Sequence, residues 1–281
     1  MQTVSTVKDL QALLNPLKEK NKSIGLVPTM GALHKGHLSL IQEAKKHCDI
    51  VVVSIFVNPT QFAPHEDLDQ YPRPIEKDKL LLNDANVDIL FTPTDSDIYP
   101  NGKINTTQIE LPHLSTQLCG KTRPHFFKGV LMVVNRLFGI VQPTHAFFGE
   151  KDFQQLTVIT HMVSDLHMPI QVIGCPIIRE QDGLAMSSRN IYLSPQQRQN
   201  AQAIHHSMQT AKAQFAKGET SAQSLIATMS KILTDANFKI DYIQIIDPKT
   251  LADVDQVQPG TRIAIAAYQG TTRLIDNTSL L

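Results

Sequence analysis

The sequence predicts an α/β fold, in which helices cover both faces of a parallel sheet and a smaller second domain follows. Apolar runs of strand length recur through residues 1–178 and alternate with segments of helical periodicity, the pattern of such a sheet. The run at residues 50–57 is almost wholly apolar and rich in β-branched side chains, as in a central strand buried on both faces. Beyond residue 178 the pattern changes to long helices and then strands. We therefore expect a first domain over residues 1–178 and a second over residues 179–281.

The first domain is predicted to contain five strands, at residues 24–28, 50–57, 87–92, 145–148 and 170–178. In open parallel sheets, ligands bind beyond the carboxyl ends of the strands. Three of the predicted strands run directly into polar turns, at residues 28–31, 58–61 and 149–152. We expect these turns to lie together at one edge of the sheet, where a ligand binds.

The second domain is predicted to hold two helices and a small antiparallel sheet. Ser194, Pro195 and Gln197 supply an N-cap, a proline at the first helical position and a capping-box glutamine, and they open a long helix towards Phe215. A second helix is expected at residues 221–236. Strand-like segments follow at residues 242–246, 262–267 and 272–275.

Composition favours a small-molecule substrate and a reducing compartment. Lys and Arg total 26 and Asp and Glu total 26, so no net charge attracts nucleic acid or an anionic membrane. The three cysteines are widely spaced and form no Cys-x-x-Cys pair, which argues against a zinc site or a redox couple. The N-terminal residues lack a basic and apolar leader, and no run of about 18 apolar residues occurs. We expect a cytoplasmic protein without a nucleic-acid or membrane partner.

A His-x-Gly-His turn is the strongest candidate site. It follows the strand at residues 24–28 and precedes an amphipathic segment, so His34 and His37 are predicted at a helix N-terminus, where backbone N–H groups attract anions. Their three-residue spacing lets both imidazoles face one phosphate, and Gly36 lacks the Cβ that would keep a nucleotide from the backbone. The alternative is that both are ordinary turn histidines. Their placement directly after a strand favours the phosphate site.

Two further segments carry groups suited to a polyphosphate. Lys151 and Asp152 follow a predicted strand, where Asp152 is placed to cap the next helix and Lys151 is a candidate phosphate ligand. At residues 187–189, two serine hydroxyls and the Arg189 guanidinium follow a glycine turn, and such oriented donors can hold several phosphate oxygens. Taken alone, Lys151 is more typical of a solvated loop lysine, and Ser187 and Ser188 are equally typical of a surface loop or a helix cap.

Gln61 and Gln155 are neutral donors beside the expected ligand edge. A carboxylate that attacks phosphorus should not be held by a full positive charge, whereas an amide orients it and leaves most of its nucleophilicity. We interpret both glutamines as ligands of a carboxylic acid, with Asn58 in the same turn as Gln61. Arg123 lies where a loop meets the apolar helix predicted at residues 130–141, and it suits substrate binding and packing equally well.

Five motifs together resemble the pantothenate synthetase family, whose members are also called pantoate-beta-alanine ligases. They read VPTMGALHKGH at residues 27–37, VSIFVNPTQF at 53–62, FGEKDFQQL at 148–156, DGLAMSSRN at 182–190 and RLIDN at 273–277. The resemblance implies a Rossmann-like nucleotidyltransferase domain of the His-Ile-Gly-His superfamily, a smaller C-terminal lid domain and a cytoplasmic homodimer. It also implies that ATP, pantoate and β-alanine are the substrates, with Mg²⁺, and that pantothenate forms through a pantoyl-adenylate with release of AMP and diphosphate.

The same resemblance implies the site residues. His37 would be the catalytic proton donor, with His34, Lys151 and Arg189 also acting on the phosphates, while Gln61 and Gln155 would bind pantoate and Gln61 would also meet β-alanine. The implied ATP ligands are Met30, Gly31, Ala32, Leu33, His34, Lys35, Gly36, His37, Gly149, Glu150, Lys151, Asp152, Ile178, Met186, Ser187, Ser188 and Arg189. The implied substrate ligands are Gln61, Gln155, Asn58 and Arg123. The family usually has a histidine where this chain has Phe126, and here the histidine comes one place earlier, as His125, so His125 receives no role.

Other functions would keep the same phosphate turn. A nucleotidyltransferase that retains the nucleotide in its product would need a basic cluster for the phosphate of its acceptor, and the sequence shows none. A tRNA synthetase would share the His-x-Gly-His turn, but the balanced charge and the short chain leave no evident surface for tRNA. A non-catalytic nucleotide sensor would bind ATP without releasing pyrophosphate, so that release distinguishes it from an enzyme.

Overall fold

The computed structural model describes residues 1–63 and 66–281, and it confirms the α/β fold. A six-stranded parallel sheet and a three-stranded antiparallel sheet are present. The parallel strands are β1 Gln2–Val4, β2 Ile24–Thr29, β3 Ile50–Ile55, β4 Ile89–Phe91, β5 His145–Gly149 and β6 Gln171–Cys175. The antiparallel strands are β7 Lys239–Ile246, β8 Arg262–Gln269 and β9 Thr272–Ser279. All predicted strands occur, and β1 is an additional edge strand.

The helices follow the strands in alternation through the first part of the chain. They are α1 Val7–Glu19, α2 Lys35–His47, α3 Ile75–Asp84, α4 Asp95–Ile98, α5 Pro112–Ser115, α6 Cys119–Thr122, α7 Phe126–Val141, α8 Phe153–Asp165, α9 Pro195–Asn200, α10 Gln202–Ala216 and α11 Ala222–Asp235. Three 3-10 turns lie at Pro59–Gln61, Glu150–Asp152 and Ser188–Tyr192. Among the helices within residues 1–63 and 66–281, none is both long and apolar enough to cross a lipid bilayer.

The central strands of the parallel sheet are buried on both faces. On one face, Val27 of β2 packs with Ile41 of α2 and Leu82 of α3 in a single apolar cluster. Because side chains alternate along a strand, Leu26 and Val52 point to the opposite face, and both are also fully buried. Burial on both sides explains why these runs are almost continuously apolar.

The order of the strands places a ligand crevice between β2 and β5. The order is β1-β4-β3-β2-β5-β6, so the chain leaves β2 towards β3 on one side and leaves β5 towards β6 on the other. Where the connections of neighbouring parallel strands diverge in this way, a crevice opens at their carboxyl ends. The His-x-Gly-His turn follows β2, Gly149 ends β5, and the turn containing Gln61 follows β3. The sheet therefore brings the ends of these three strands to one edge, as the sequence predicts.

The antiparallel sheet packs against two helices, as predicted. Buried side chains of α10, α11 and the sheet, among them Met208, Leu225 and Ile265, form one apolar cluster. The capping box at Ser194 is present, but the single long helix predicted from it is wrong. α9 ends at Asn200 and α10 begins at Gln202, with Ala201 between them.

The chain divides into two compact units. The first comprises Met1–Ser115, Arg123–Glu150 and Gln155–Pro176, and the second comprises Thr116–Thr122, Lys151–Gln154 and Ile177–Leu281. Two short segments that precede residue 177 thus belong to the second unit, Lys151 among them. The domain boundary after residue 178 stays a prediction.

Candidate active site

Two consecutive residues in left-handed conformation turn the chain after β2. Gly31 has φ +83° and Ala32 has φ +50°, a conformation that costs a non-glycine residue energy unless its surroundings compensate. The turn is tied to the sheet by Thr29, whose hydroxyl accepts the N–H of Gly31 at 3.1 Å and donates to the carbonyl oxygen of Ser54 at 2.8 Å. The backbone of this turn therefore has one defined path.

The buried carboxylate of Asp78 holds the same turn. Its Oδ2 accepts the N–H of Ala32 and its Oδ1 accepts the N–H of Leu33, each at 2.8 Å. Burial raises the pKa of Asp78, and the two backbone N–H groups oppose that rise because they stabilise the ionised form. Asp78 is not among the site residues predicted from the sequence. Its signal is an aspartate one helical turn before the buried Leu82, on the apolar face of α3.

His34 and His37 lie at the N-terminus of α2, which confirms their predicted placement. His34 is the N-cap, and its Nδ1 accepts the N–H of Gly36 at 3.1 Å. The Nδ1 of His37 accepts the N–H of His34 at 3.3 Å. A neutral imidazole has one donor and one acceptor nitrogen, so the hydrogen of each neutral ring lies on Nε2. The helix start thus sets the tautomer of both rings.

The two rings form one donor surface. Their centroids are 4.1 Å apart and their planes are inclined by 39°. Two Nε2–H groups, the helix dipole and the backbone N–H groups of the first turn all favour negative charge at this position. The arrangement suits a phosphate group.

Gln61 lies in the 3-10 turn after β3, and its neighbours fix the direction of its amide. Asn58 Nδ2 donates to Gln61 Oε1 at 3.1 Å, so the Nε2 of Gln61 points away, to the Sδ of Met30 at 3.0 Å. A thioether is a weak acceptor. The amide nitrogen of Gln61 is therefore placed to donate to a stronger acceptor, such as a substrate carboxylate.

Asn58 is almost completely buried and is occupied by protein contacts. Its Oδ1 accepts from the hydroxyls of Tyr99 at 2.7 Å and Thr60 at 3.0 Å, and its Nδ2 donates to the carbonyl oxygen of Gly129 at 3.1 Å. These contacts support a positioning role for Asn58 behind Gln61. The role of Tyr99 was not evident from sequence, because it contacts Asn58 from a distant part of the chain.

Arg123 makes a two-point ion pair with Glu66. Its Nε and Nη2 donate to Oε1 at 2.5 Å and Oε2 at 2.7 Å, and its Nη2 also reaches the carbonyl oxygen of Gln61 at 3.3 Å. The guanidinium lies over the ring of Phe126, 3.8 Å from its centroid. The sequence left substrate binding and packing as two roles for Arg123, and these contacts favour packing around Gln61. His125, at the start of α7, is exposed and makes no side-chain capping bond.

The remaining predicted residues of the first unit lie at the end of β5 and on α8. Gly149 is the last residue of β5, and a Cβ there would meet nothing within 4 Å, so the chain leaves open space beside it. Glu150 follows directly and begins a 3-10 turn. Gln155 lies in the first turn of α8 and is partly exposed.

The second unit contains the other predicted phosphate ligands. Lys151 and Asp152 end a 3-10 turn, their Nζ and Oδ1 atoms are 3.7 Å apart, and the Lys151 side chain is 21% exposed. The segment from Ile178 to Met186 doubles back on itself through hydrogen bonds between Met186 N–H and Ile178 O and between Glu180 N–H and Leu184 O. Ser187 then caps the short 3-10 helix that contains Ser188 and Arg189, and its hydroxyl accepts the N–H of Arg189 at 3.2 Å.

The chain matches one family along almost its whole length. The family model described as pantoate-beta-alanine ligase matches residues 2–279. A pantothenate synthetase of Thermotoga petrophila is 47% identical over 281 residues, which is 100% of each chain. A pantothenate synthetase of Acinetobacter baumannii is 49% identical over 277 residues, covering 99% of this chain and 97% of that one.

Solved structures give the same result. The pantothenate synthetase of Thermus thermophilus matches with a TM-score of 0.94 and 41% identity, over 100% of this chain and 99% of that one. The pantoate-beta-alanine ligase of Francisella tularensis, solved with beta-gamma ATP and beta-alanine, matches with a TM-score of 0.82 and 37% identity, over 100% of this chain and 98% of that one.

Proposed function

The chain belongs to the pantoate-beta-alanine ligase family, and from that premise we propose which of its residues perform the reaction. The protein is an ATP-dependent ligase that joins pantoate to β-alanine and forms pantothenate. The observation that carries the assignment to individual residues is the pair His34 and His37, which presents two Nε2–H donors at the start of α2. The reaction proceeds in two halves, through a pantoyl-adenylate.

In the first half, the pantoate carboxylate attacks the α-phosphorus of ATP and pyrophosphate leaves. Negative charge grows on the phosphoryl oxygens and on the leaving group. His34 and His37 donate hydrogen bonds to this charge through Nε2–H, and His37, the donor that the family resemblance implies, directs its hydrogen bond to the departing pyrophosphate. Donors that are already oriented need not reorganise during the reaction, which is the main source of electrostatic catalysis.

Gln61 and Gln155 bind pantoate. The contact of Gln61 Nε2 with the weakly accepting sulfur of Met30 supports this role, because a carboxylate oxygen is the better partner for the same donor. A neutral amide orients the carboxylate without the charge that would stabilise its ground state. Asn58 keeps the amide in the required direction.

The β- and γ-phosphates are bound by Lys151 and by the segment Met186, Ser187, Ser188 and Arg189. A lysine ammonium, two hydroxyls and a guanidinium are all donors, and together they can hold the several oxygens of pyrophosphate as it leaves. The remaining ATP contacts come from the backbone of Met30 to Gly36, from Gly149 to Asp152 and from Ile178. The family resemblance supports these assignments.

Magnesium enters as the complex with ATP. Within the described chain, no group of three His, Cys, Asp or Glu side chains could hold a metal ion by itself. Mg²⁺ needs few protein ligands, since substrate phosphates and waters commonly hold it with one or two carboxylates. Asp152, beside Lys151, is such a carboxylate and would hold the ion. When bound, Mg²⁺ neutralises charge on the phosphate oxygens.

In the second half, the neutral amine of β-alanine attacks the acyl carbon of the adenylate and AMP leaves. The mixed anhydride is already reactive, so this step needs alignment and shelter from water more than acid or base. Gln61 also contacts β-alanine. The family resemblance further supports a cytoplasmic homodimer that has no nucleic-acid partner.

The order of product release tests the two-step function. Pyrophosphate should appear when the protein is mixed with ATP, Mg²⁺ and pantoate alone, and pantothenate and AMP should follow when β-alanine is added. Pyrophosphate release that requires β-alanine would contradict the adenylate. A product that keeps the nucleotide would indicate a nucleotidyltransferase, and ATP binding with no release would indicate a sensor.

A further inference from the structure

The motif at residues 273–277 has no role in the reaction as proposed so far. It lies in β9, where Asp276 and Asn277 are each 3% exposed. Consecutive residues of a strand point to opposite faces of the sheet, so the two side chains leave β9 in opposite directions. A buried carboxylate and a buried amide each cost free energy unless they have partners. Their partners therefore show what the motif does.

Asn277 holds the backbone of Lys151. Its Nδ2 donates to the carbonyl oxygen of Lys151 at 2.9 Å, and its Oδ1 accepts from Nη1 of Arg262. Because arginine can only donate, the amide oxygen must face Arg262 and the amide nitrogen must face Lys151. Arg262 also lies over the ring of Phe153, 3.9 Å from its centroid. Asn277 thus holds the backbone of Lys151, and Arg262 packs on the residue that follows the turn.

Asp276 holds the segment that leads to Arg189. Its Oδ2 and Oδ1 accept from Nη1 and Nη2 of Arg179 at 2.6 Å and 3.0 Å, a two-point ion pair whose carboxylate is almost fully buried. Arg179 Nη1 also donates to the carbonyl oxygen of Gly183 at 2.9 Å. The guanidinium therefore joins β9 to both arms of the turn at residues 179–185.

The turn transmits this anchor to the proposed phosphate ligands. Met186 N–H donates to Ile178 O at 3.0 Å, directly beside Arg179. At the other end, Asn190 Nδ2 donates to Glu180 Oε1 at 2.8 Å. Residues 186–189 are consequently enclosed between two connections to the turn that Asp276 anchors.

We infer that Asp276 and Asn277 are positioning residues of the ATP site, one for each phosphate-binding segment of the second unit. The inference rests on the proposed function of Lys151 and Arg189. Neither residue contacts the reacting atoms in this assignment. Asn277 sets the position of Lys151, and Asp276, through Arg179, sets the position of residues 186–189.

Asn277→Asp is the sharpest test, because it keeps the size of the side chain and the acceptor for Arg262 but removes the donor to Lys151. The KM for ATP should rise and the turnover of pantoate-dependent pyrophosphate release should fall by about 10- to 10²-fold, since a shift of about 1 Å in a ligand has such effects. The KM for pantoate should stay unchanged. Asp276→Asn should change the ATP constants in the same direction.

Asp241→Asn is the matched control. Asp241 forms a comparable ion pair with Arg273, at 2.7 Å, between β7 and β9 of the same sheet, but it contacts neither phosphate-binding segment. Its loss should lower the melting temperature and leave the KM for ATP unchanged. If Asp241→Asn raises this KM as much as Asn277→Asp does, the motif serves only stability and the inference is wrong.

Lys151→Ala separates the inference from the function on which it rests. If Asn277 acts through Lys151, the double variant should be little worse than Lys151→Ala alone. Normal kinetics of Lys151→Ala would overturn the proposed phosphate ligand itself. Impaired Lys151→Ala together with normal Asn277→Asp, or fully additive losses in the double variant, would overturn only the positioning role.

Discussion

The two groups of proposed phosphate ligands are held in opposite ways. His34 and His37 are fixed by hydrogen bonds to residues within the same helical turn, Gly36 and His34 itself. The backbone of Lys151 is held by Asn277, which lies 126 residues later in the chain. The segment that contains Arg189 is held through Arg179, whose partner Asp276 lies 97 residues after it. The first arrangement depends only on residues of the same turn. The second forms only when β9, which lies far along the chain, has taken its place in the antiparallel sheet.

The difference determines how far each group of ligands is affected by changes elsewhere in the protein. A ligand held by its own helix start keeps its geometry as long as that helix forms. A ligand held by a distant side chain depends on packing elsewhere, so changes far from the chemistry can alter its position. Four experiments test this contrast between locally held and distantly held ligands, beginning with the largest expected effect.

Removing the local donor itself should have the largest effect. His37→Ala should lower the turnover of pyrophosphate release by about 10²- to 10³-fold, the usual loss for one well-aimed donor, with little change in melting temperature. His47→Ala is the control, because His47 lies at the other end of α2 and pairs with Glu43 at the surface. Near-normal release by His37→Ala would contradict its proposed role.

Asp78→Asn tests whether the local site is as independent as the contrast suggests. Asp78 lies 46 residues from Ala32 and accepts two N–H groups of the turn, and an asparagine would place an NH₂ against one of them. We expect turnover to fall by about 10- to 10²-fold through displacement of the turn. Asp84→Asn changes an exposed aspartate of the same helix and should have no effect. Unchanged kinetics for Asp78→Asn would show that the turn holds its shape alone.

Two glycines of α7 should respond in opposite directions. A Cβ on Gly129 would overlap the carbonyl oxygen of Thr60, in the turn that carries Gln61, whereas a Cβ on Gly139 would meet nothing within 4 Å. Urea unfolding should show Gly129→Ala destabilised by about 1–3 kcal/mol. Gly139→Ala should be stabilised by up to about 1 kcal/mol through helix propensity. Equal free energies of unfolding for the two variants would indicate that the turn containing Thr60 moves aside without loss of stability.

The last prediction concerns the thiols of the first unit at high pH. Burial raises the pKa of Cys48 and of Cys175 to about 11. The folded state therefore keeps protons that the unfolded state loses above about pH 8.5, so stability should decline as the pH rises from there towards 11. In native protein at pH 8, iodoacetamide should modify both thiols far more slowly than in urea. Equally fast modification of the folded protein would contradict the raised values.

Sequence patterns located the parallel sheet because β2 and β3 are buried on both faces and hence almost wholly apolar. They missed β1, which spans only Gln2–Val4 and is largely exposed. They also gave one helix from Ser194 towards Phe215 where the structure has two, since an alanine at residue 201 carries no signal that ends a helix. Periodicity detects burial, and it fails for elements that are short or interrupted without a breaking residue.

The parts of the candidate site whose contacts lie close together in the sequence could be predicted, and the parts that depend on distant residues could not. A helix start directly after a strand identified His34 and His37, and their capping bonds need no residue outside the turn. Asp78, Asp276 and Asn277 could not be assigned partners from sequence, because nothing in the residues themselves indicates which distant backbone atoms they meet. The resemblance marked residues 273–277 as a motif, but only their contacts give it a role.

The hydrogen bond between Asn277 and Lys151 also sets an order of events during synthesis of the protein. A ribosome adds about 5–20 residues per second, so the 126 residues between the two partners separate their appearance by on the order of 10 s. Throughout that interval the nascent chain carries Lys151 without its anchor. The growing polypeptide should therefore be a poor consumer of ATP until β9 joins its sheet, and competence to split the nucleotide should arise late and abruptly.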